Sequence, residues 1–172
     1  MNNNNNNNDY NKNNIKINSK YRISKDEYYI NIAREVCKRS TCLKRHYGAV
    51  IVNNDEIVST GYNGAPRGDI NCCDRGTCPR INVEHNSGNY NNCCAVHAEM
   101  NAIISASHKE MMNGTIYLYG EEEKVVKNEK TGEDEVITVE VKYPTPCPIC
   151  EKLIKNAGIA IFINNSQVKY FD

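Results

Sequence analysis

Ala95-Val96-His97-Ala98-Glu99-Met100 and Thr145-Pro146-Cys147-Pro148-Ile149-Cys150 each open a stretch of helical pattern, and each helix leads into a strand. From 96 to about 107 the residues Met100, Ile103, Ile104 and Ser107 recur at helical spacing and are expected on the buried face. Asn113-Gly114 ends that segment, and Thr115-Ile116-Tyr117-Leu118-Tyr119 reads as a strand. The second helix runs over 148–157, is closed by Gly158, and is followed by a strand at 159–163. Upstream, Ser24-Lys25-Asp26-Glu27 fits a capping box, and Tyr29, Ile32, Ala33 and Val36 form one apolar face with Cys37 as a small core residue beside it. Residues 47–52 and 57–62 read as strands joined by the Asn53-Asn54-Asp55-Glu56 turn. The order is therefore β-β-α-β-hairpin-α-β, an α/β chain with helices packed on a sheet. Parallel pairing is expected where a helix joins two strands.

The two motifs carry chemistry because of where they stand. Cys147 can cap its helix while Pro148 takes the first turn, where a missing N–H costs nothing. Cys147 and Cys150, one turn apart, can aim both sulfurs at one point, and a helix N-terminus favours the thiolates a metal needs. His97 supplies a third ligand if the two helix starts face each other. Two thiolates and an imidazole make a zinc site of the catalytic type, with one position open. Glu99, bordering the same cavity, can then act as a proton carrier. Taken alone, Cys-x-x-Cys also suits a zinc-ribbon corner or a redox pair.

Composition narrows the rest. The chain has 172 residues, within the range of one domain, with 21 Lys and Arg against 21 Asp and Glu. Zero formal charge and the lack of a basic, aromatic-interleaved stripe disfavour a polynucleotide ligand but not a single nucleotide. No apolar run is long enough to span a bilayer, and the N-terminus does not read as a signal peptide, so a cytoplasmic protein is expected, without membrane association. Residues 1–20, asparagine-rich, are expected to be a disordered tail ahead of a domain at 21–172. The 63–94 segment has little periodicity and holds five of the nine cysteines, and 121–143 reads as an inserted hairpin whose charges face solvent.

His-x-Glu followed by Pro-Cys-x-x-Cys is the established signature of zinc deaminases. Here it is joined by Thr41-Cys42-Leu43-Lys44-Arg45 before Gly48-Ala49-Val50, by Thr60-Gly61-Tyr62-Asn63-Gly64-Ala65-Pro66-Arg67-Gly68, and by His97-Ala98-Glu99-Met100-Asn101-Ala102-Ile103. Over about 25–163 the sequence resembles the zinc-dependent cytidine/deoxycytidylate deaminases, nearest to their dCMP branch. The resemblance implies a three-layer α-β-α fold with a central mixed sheet. It implies hydrolysis of dCMP to dUMP and ammonia, supplying dUMP for thymidylate synthesis. Zinc on His97, Cys147 and Cys150 would activate water toward C4 of the pyrimidine, and Glu99 would move the proton to N3 and then to the amine. Asn63 would contact the sugar, and the backbone of Ala98 and Thr145 would read the base edge. It further implies a homo-oligomer, such as a hexamer, with dCTP and dTTP as effectors. The alternatives are a zinc deaminase of another cytosine nucleoside or nucleotide, and an inactive zinc-binding regulatory module. Three features depart from the family: Tyr47 in place of valine, the 121–142 hairpin in place of a short connection, and the chain's end soon after Ile163. They bear on phosphate contacts and allosteric control, for which Arg45, Arg67 and Arg80 are candidates.

Some members of that branch carry a structural zinc in the loop region. Here Cys42, Cys72, Cys78 and Cys93 are expected to form a closed four-sulfur site, with Cys73, Cys94 or His85 as substitutes. Free thiols or disulfides are the other readings.

Overall fold

The computed structural model describes residues 22–83, 87–88 and 90–171. The 1–20 tail and His85 lie outside the described residues.

The chain opens on helix α1 (Lys25–Cys37), whose cap Ser24 accepts from the Glu27 amide at 3.1 Å. Its buried stripe is Tyr29, Ile30, Ala33 and Cys37, turned by one position from the expected face, so that Ile32 and Val36 are only partly covered. Close packing sets the rotation. A Cβ at Gly48 would lie 2.1 Å from the Ala33 carbonyl oxygen, so the helix rests on the strand at the Ala33 and Cys37 level.

Strands β1 (Arg45–Asn53) and β2 (Glu56–Tyr62) form the expected hairpin. Asn54 and Asp55 turn it with φ of 48° and 68°, the left-handed pair that matches strand twist in a two-residue turn. A short helix α2 (Cys72–Arg75) lies in the cysteine-rich loop. Helix α3 (Ala98–Ile104) is shorter than the sequence suggested, and α4 (His108–Met111) follows it, opened by a full capping box of Ser107 with Glu110. The buried face of α3 is Ala98, Glu99 and Ala102, while Ile104 is 77% exposed. The cause lies across from it at Gly61, where a Cβ would stand 2.3 Å from both the Ala98 oxygen and the Ala102 nitrogen. The helix approaches β2 so closely that its small residues face inward and its larger apolar ones turn away.

Strand β3 (Thr115–Lys127) runs far beyond the expected Tyr119 and pairs with β4 (Asp134–Glu140). The inserted hairpin is thus an extension of a central strand. Helix α5 (Pro148–Asn156) ends at Gly158 with φ of 73°, and then come β5 (Ile161–Ile163) and β6 (Val168–Tyr170), the last unmarked in the sequence pattern. Among the described residues the sheet order is β2-β1-β3-β5-β6, with β4 on β3. β3 and β5 pair in parallel, and the other pairs are antiparallel.

The sheet is covered on both sides, which gives the three-layer α-β-α arrangement. Val50, Val52, Tyr117 and Tyr119 pack with α1. Ala49, Ile51, Ile116 and Leu118 pack with Ala98 and Ala102 of α3 and Ile154 of α5. Alternate residues of β1 and β3 go to opposite layers, as strand geometry dictates.

Candidate active site

Both motifs sit at helix N-termini on the same layer. His97 is the N-cap of α3 in extended conformation, and Cys147 is the N-cap of α5 with Pro148 behind it in the first turn. The Cys147 sulfur accepts from the Cys150 amide at 3.4 Å. His97 Nδ1 lies 3.5 Å from Cys147 Sγ and 3.3 Å from Cys150 Sγ, and the three ligand atoms fall within 4.8 Å of one another. A zinc with Zn–S of ~2.3 Å and Zn–N of ~2.1 Å at tetrahedral angles would put sulfur and nitrogen ~3.6 Å apart. The donor set and spacing fit that metal. Hydrogen bonding from Cys150, then from His97, holds the Cys147 thiol far below its ordinary range, while the Cys147 sulfur and then burial push Cys150 up. The hydrogen bond with Cys147 raises His97.

Glu99 is 5% exposed on the second residue of α3. Burial pushes its carboxyl above the ordinary range. A carboxyl tuned upward in this way suits proton transfer near neutral pH.

His97, Glu99 and Cys147 border a cavity of about 120 Å³ that opens to solvent. Asn63, Ala98 and Thr145 line it, and so do Arg45 and Arg80. Asn63 Oδ1 accepts from the Tyr47 amide at 2.7 Å, and its Nδ2 donates to the Arg45 carbonyl at 2.8 Å, so the side chain is fixed to β1. Arg67 is exposed and stands apart from the cavity lining.

Sequence reading named Arg80 as a candidate phosphate contact but missed other parts of the wall. Tyr90 meets the His97 ring edge-on at 5.8 Å, and Arg80 lies over the Tyr90 ring at 5.1 Å. Tyr90 comes from the irregular loop, where no periodicity marks it. Lys44 Nζ donates to the Arg80 carbonyl at 3.1 Å and to the Val83 carbonyl, and so holds that loop against β1. Leu118 and Tyr47 also line the cavity. A signal for Tyr47 existed in its departure from the family's valine.

The other thiols gather less tightly. Cys72 Sγ lies 3.4 Å from Cys94 Sγ, while Cys42, Cys78 and Cys93 line one side of the cavity. Burial, then the nearby Cys93, pushes the Cys42 thiol up to about 12. Cys73 is exposed and donates to Asp74 at 3.6 Å. Among the described residues, His97, Cys147 and Cys150 are the set that converges on one point.

The sequence profile of the cytidine and deoxycytidylate deaminase zinc-binding region matches residues 23–164. The deoxycytidylate deaminase of Mycobacterium phage D29 is 32% identical over 140 residues, which is 78% of this chain and 88% of the phage protein. That of Schizosaccharomyces pombe is 39% identical over 99 residues, 57% of this chain. The chain spans 30% of the length of this relative and of the one from Saccharomyces cerevisiae. In structure, the dCMP deaminase of cyanophage S-TIM5, solved in complex with dCMP and dUMP, superposes with a TM-score of 0.51 at 23% identity, covering 83% of each chain.

Proposed function

Because the chain belongs to the cytidine and deoxycytidylate deaminase family, we propose that it hydrolyses dCMP to dUMP and ammonia. The observation that carries this is the convergence of His97 Nδ1 and two cysteine sulfurs, at the separations of a tetrahedral zinc, beside the buried carboxyl of Glu99. Zinc bound there would supply the Lewis acidity that makes water a nucleophile near neutral pH.

The protein's own groups do the rest. Glu99 takes a proton and delivers it to the pyrimidine N3 and then to the amine leaving C4; water supplies the oxygen and dUMP and ammonia leave. The Ala98 amide and Thr145 carbonyl read the base edge, and Asn63, held by β1, meets the sugar. Tyr90, against His97, closes the cavity over the base end.

Finer parts of the reading follow from the same residues. A second, structural zinc is held by Cys42, Cys72, Cys78 and Cys93, with Cys94, already at Cys72, as the substitute. Self-association covers Ile104 of α3 together with the half-exposed Ile149 of α5. The dCTP and dTTP effectors bind at the 61–68 loop, where Arg67 is exposed. A reducing compartment, the cytoplasm, suits nine free cysteines. No helix of the described residues is long and apolar enough to cross a membrane.

The test is ammonia release by the purified, zinc-loaded protein from dCMP, deoxycytidine, cytidine and dCTP. Turnover of dCMP well above the others is expected. Release from none of them would overturn the reading, and preference for a nucleoside would move the assignment to a nucleoside deaminase.

A further inference from the structure

Two thiols from distant parts of the cysteine-rich segment meet. Cys72 is the first residue of α2 and is buried, while Cys94 closes the segment and is partly exposed. Their sulfurs lie 3.4 Å apart. A disulfide of ~2.05 Å needs them to close by only ~1.4 Å. Other thiols have other settings. Cys147 and Cys150 belong to the cluster with His97, Cys37 is buried in the α1 layer, and Cys73 is exposed and donates to Asp74.

Backbone bonds hold both partners in place. The Cys73 amide donates to the Thr41 carbonyl at 3.1 Å, and the Thr41 amide to the Asn63 carbonyl at 3.3 Å. Gly64 and Val96 bond to each other through both amides, and the Cys93 amide donates to the Tyr90 carbonyl at 2.9 Å. Anchored backbone on both sides thus presents Cys72 to Cys94 across 22 positions of sequence. Two groups held at contact react with each other far faster than with groups that must diffuse together.

The pair is also unequal in access and close to the cavity. Cys72 is 4% exposed, so an oxidant arriving from solvent meets Cys94 first. Cys93 and Ala95, on either side of Cys94, line the active-site cavity, and His97 follows three residues on.

We propose that Cys72 and Cys94 are an oxidative modification site, joined by a hydroperoxide into a reversible disulfide that displaces the wall of the cavity. The Cys94 thiolate attacks one peroxide oxygen and the O–O bond breaks. Cys94 becomes a sulfenic acid, and the hydroxide that leaves takes up the proton Cys94 had lost. The Cys72 sulfur then attacks the Cys94 sulfur; the S–S bond forms, the S–O bond breaks, and the departing hydroxide takes the Cys72 proton as water. Two thiols are oxidised by two electrons in all, and one peroxide is reduced to two waters. The link pulls on Cys94 between two wall residues. It also withdraws Cys72 from the four-sulfur set proposed for the loop, since one sulfur cannot serve both. A dithiol reductant reverses it by thiol–disulfide exchange. The sulfur geometry carries the site by itself, and only its effect on turnover rests on the proposed deamination.

The test exposes the zinc-loaded wild type, Cys72→Ser and Cys94→Ser to hydrogen peroxide, alkylates the remaining thiols, and maps linked peptides by mass spectrometry without reduction. Zinc content and kcat/KM for dCMP are measured before and after. In the wild type the Cys72–Cys94 peptide is expected to be the first link formed, and it is absent from both variants. With it, kcat/KM should fall about tenfold or more, since misplacement by ~1 Å in a positioned site can cost ~10²-fold. Dithiothreitol restores it, and Cys94→Ser keeps its own untreated value through the same exposure. Zinc should fall from about two toward about one per chain as the link forms. Alkylation of both thiols while other cysteines link, a Cys147–Cys150 link forming first, or a Cys72–Cys94 link that leaves kcat/KM unchanged overturns the proposal; if Cys72→Ser does not fold, Cys94→Ser decides. A wild type that starts at one zinc removes the loop metal, and one that deaminates no cytosine substrate overturns the proposed function. In either case the linked peptide, set against Cys94→Ser, still judges the pair.

Discussion

In the proposed reaction Glu99 carries the proton, and its surroundings suit a glutamate to that role. At the start of α3 the side chain is withdrawn from water, and burial raises its proton affinity. Gln has the same shape but cannot carry the proton. Glu99→Gln is therefore expected to lower turnover of dCMP at least ~10²-fold, the low end for a positioned acid–base group. Zinc content, read by elemental analysis, should stay as in wild type, since His97, Cys147 and Cys150 make the cluster without it. Loss of metal along with activity would show instead that Glu99 holds the site together. His97, Glu99, Cys147 and Cys150 were legible in the sequence because each motif is local, its residues placed by a single helix start. Arg45 was named as a candidate, but its pairing with Glu122 was not legible, since it exists only through a cross-strand register, and neither was Tyr90, carried by a loop without pattern.

At the scale of elements, the layers are set by how near the helices come to the sheet. The strand alternation of 47–52 and 115–119 was readable, as were the caps at Ser24 and Cys147. The buried face of α3 was not. Hydrophobic spacing pointed to Met100, Ile103 and Ile104, yet the missing side chain at Gly61 lets the helix backbone settle onto β2, and only alanines fit between. The length of β3 was hidden for a similar reason: its outer half is charged, and only pairing with β4 and β1 makes it a strand. Gly61→Ala tests this packing. The new methyl would meet backbone atoms of Ala98 and Ala102, which yield only if α3 moves as a unit. Destabilisation of ~1–3 kcal/mol is expected, the usual cost of overpacking, seen as a lower denaturation midpoint. Because α3 carries His97 and Glu99, kcat should fall as well. An unchanged midpoint would mean that α3 is not held at this contact.

For the whole molecule, the 63–94 segment poses the remaining structural question, since a segment this long within a compact domain needs something besides a core to order it. In the structure Lys44 ties it at the Arg80 and Val83 carbonyls, and the Gly64 and Val96 backbones bond to each other at 3.2 and 2.8 Å. Between these ties Cys72 Sγ lies 3.4 Å from Cys94 Sγ, and Cys73 donates to Asp74. A metal joining Cys42, at the foot of β1, to the segment would fix it against the sheet and keep Arg80 and Tyr90 over the site. Structural zinc contributes its binding free energy directly to folding. Elemental analysis of protein purified without chelator is therefore expected to give about two zinc ions per chain. Substituting Cys42 and Cys72 by serine should reduce this to about one, lower the denaturation midpoint, and raise KM for dCMP while the metal on His97, Cys147 and Cys150 remains. A reproducible value near one in the wild type would remove the second zinc and leave the segment held by Lys44 and its own backbone contacts.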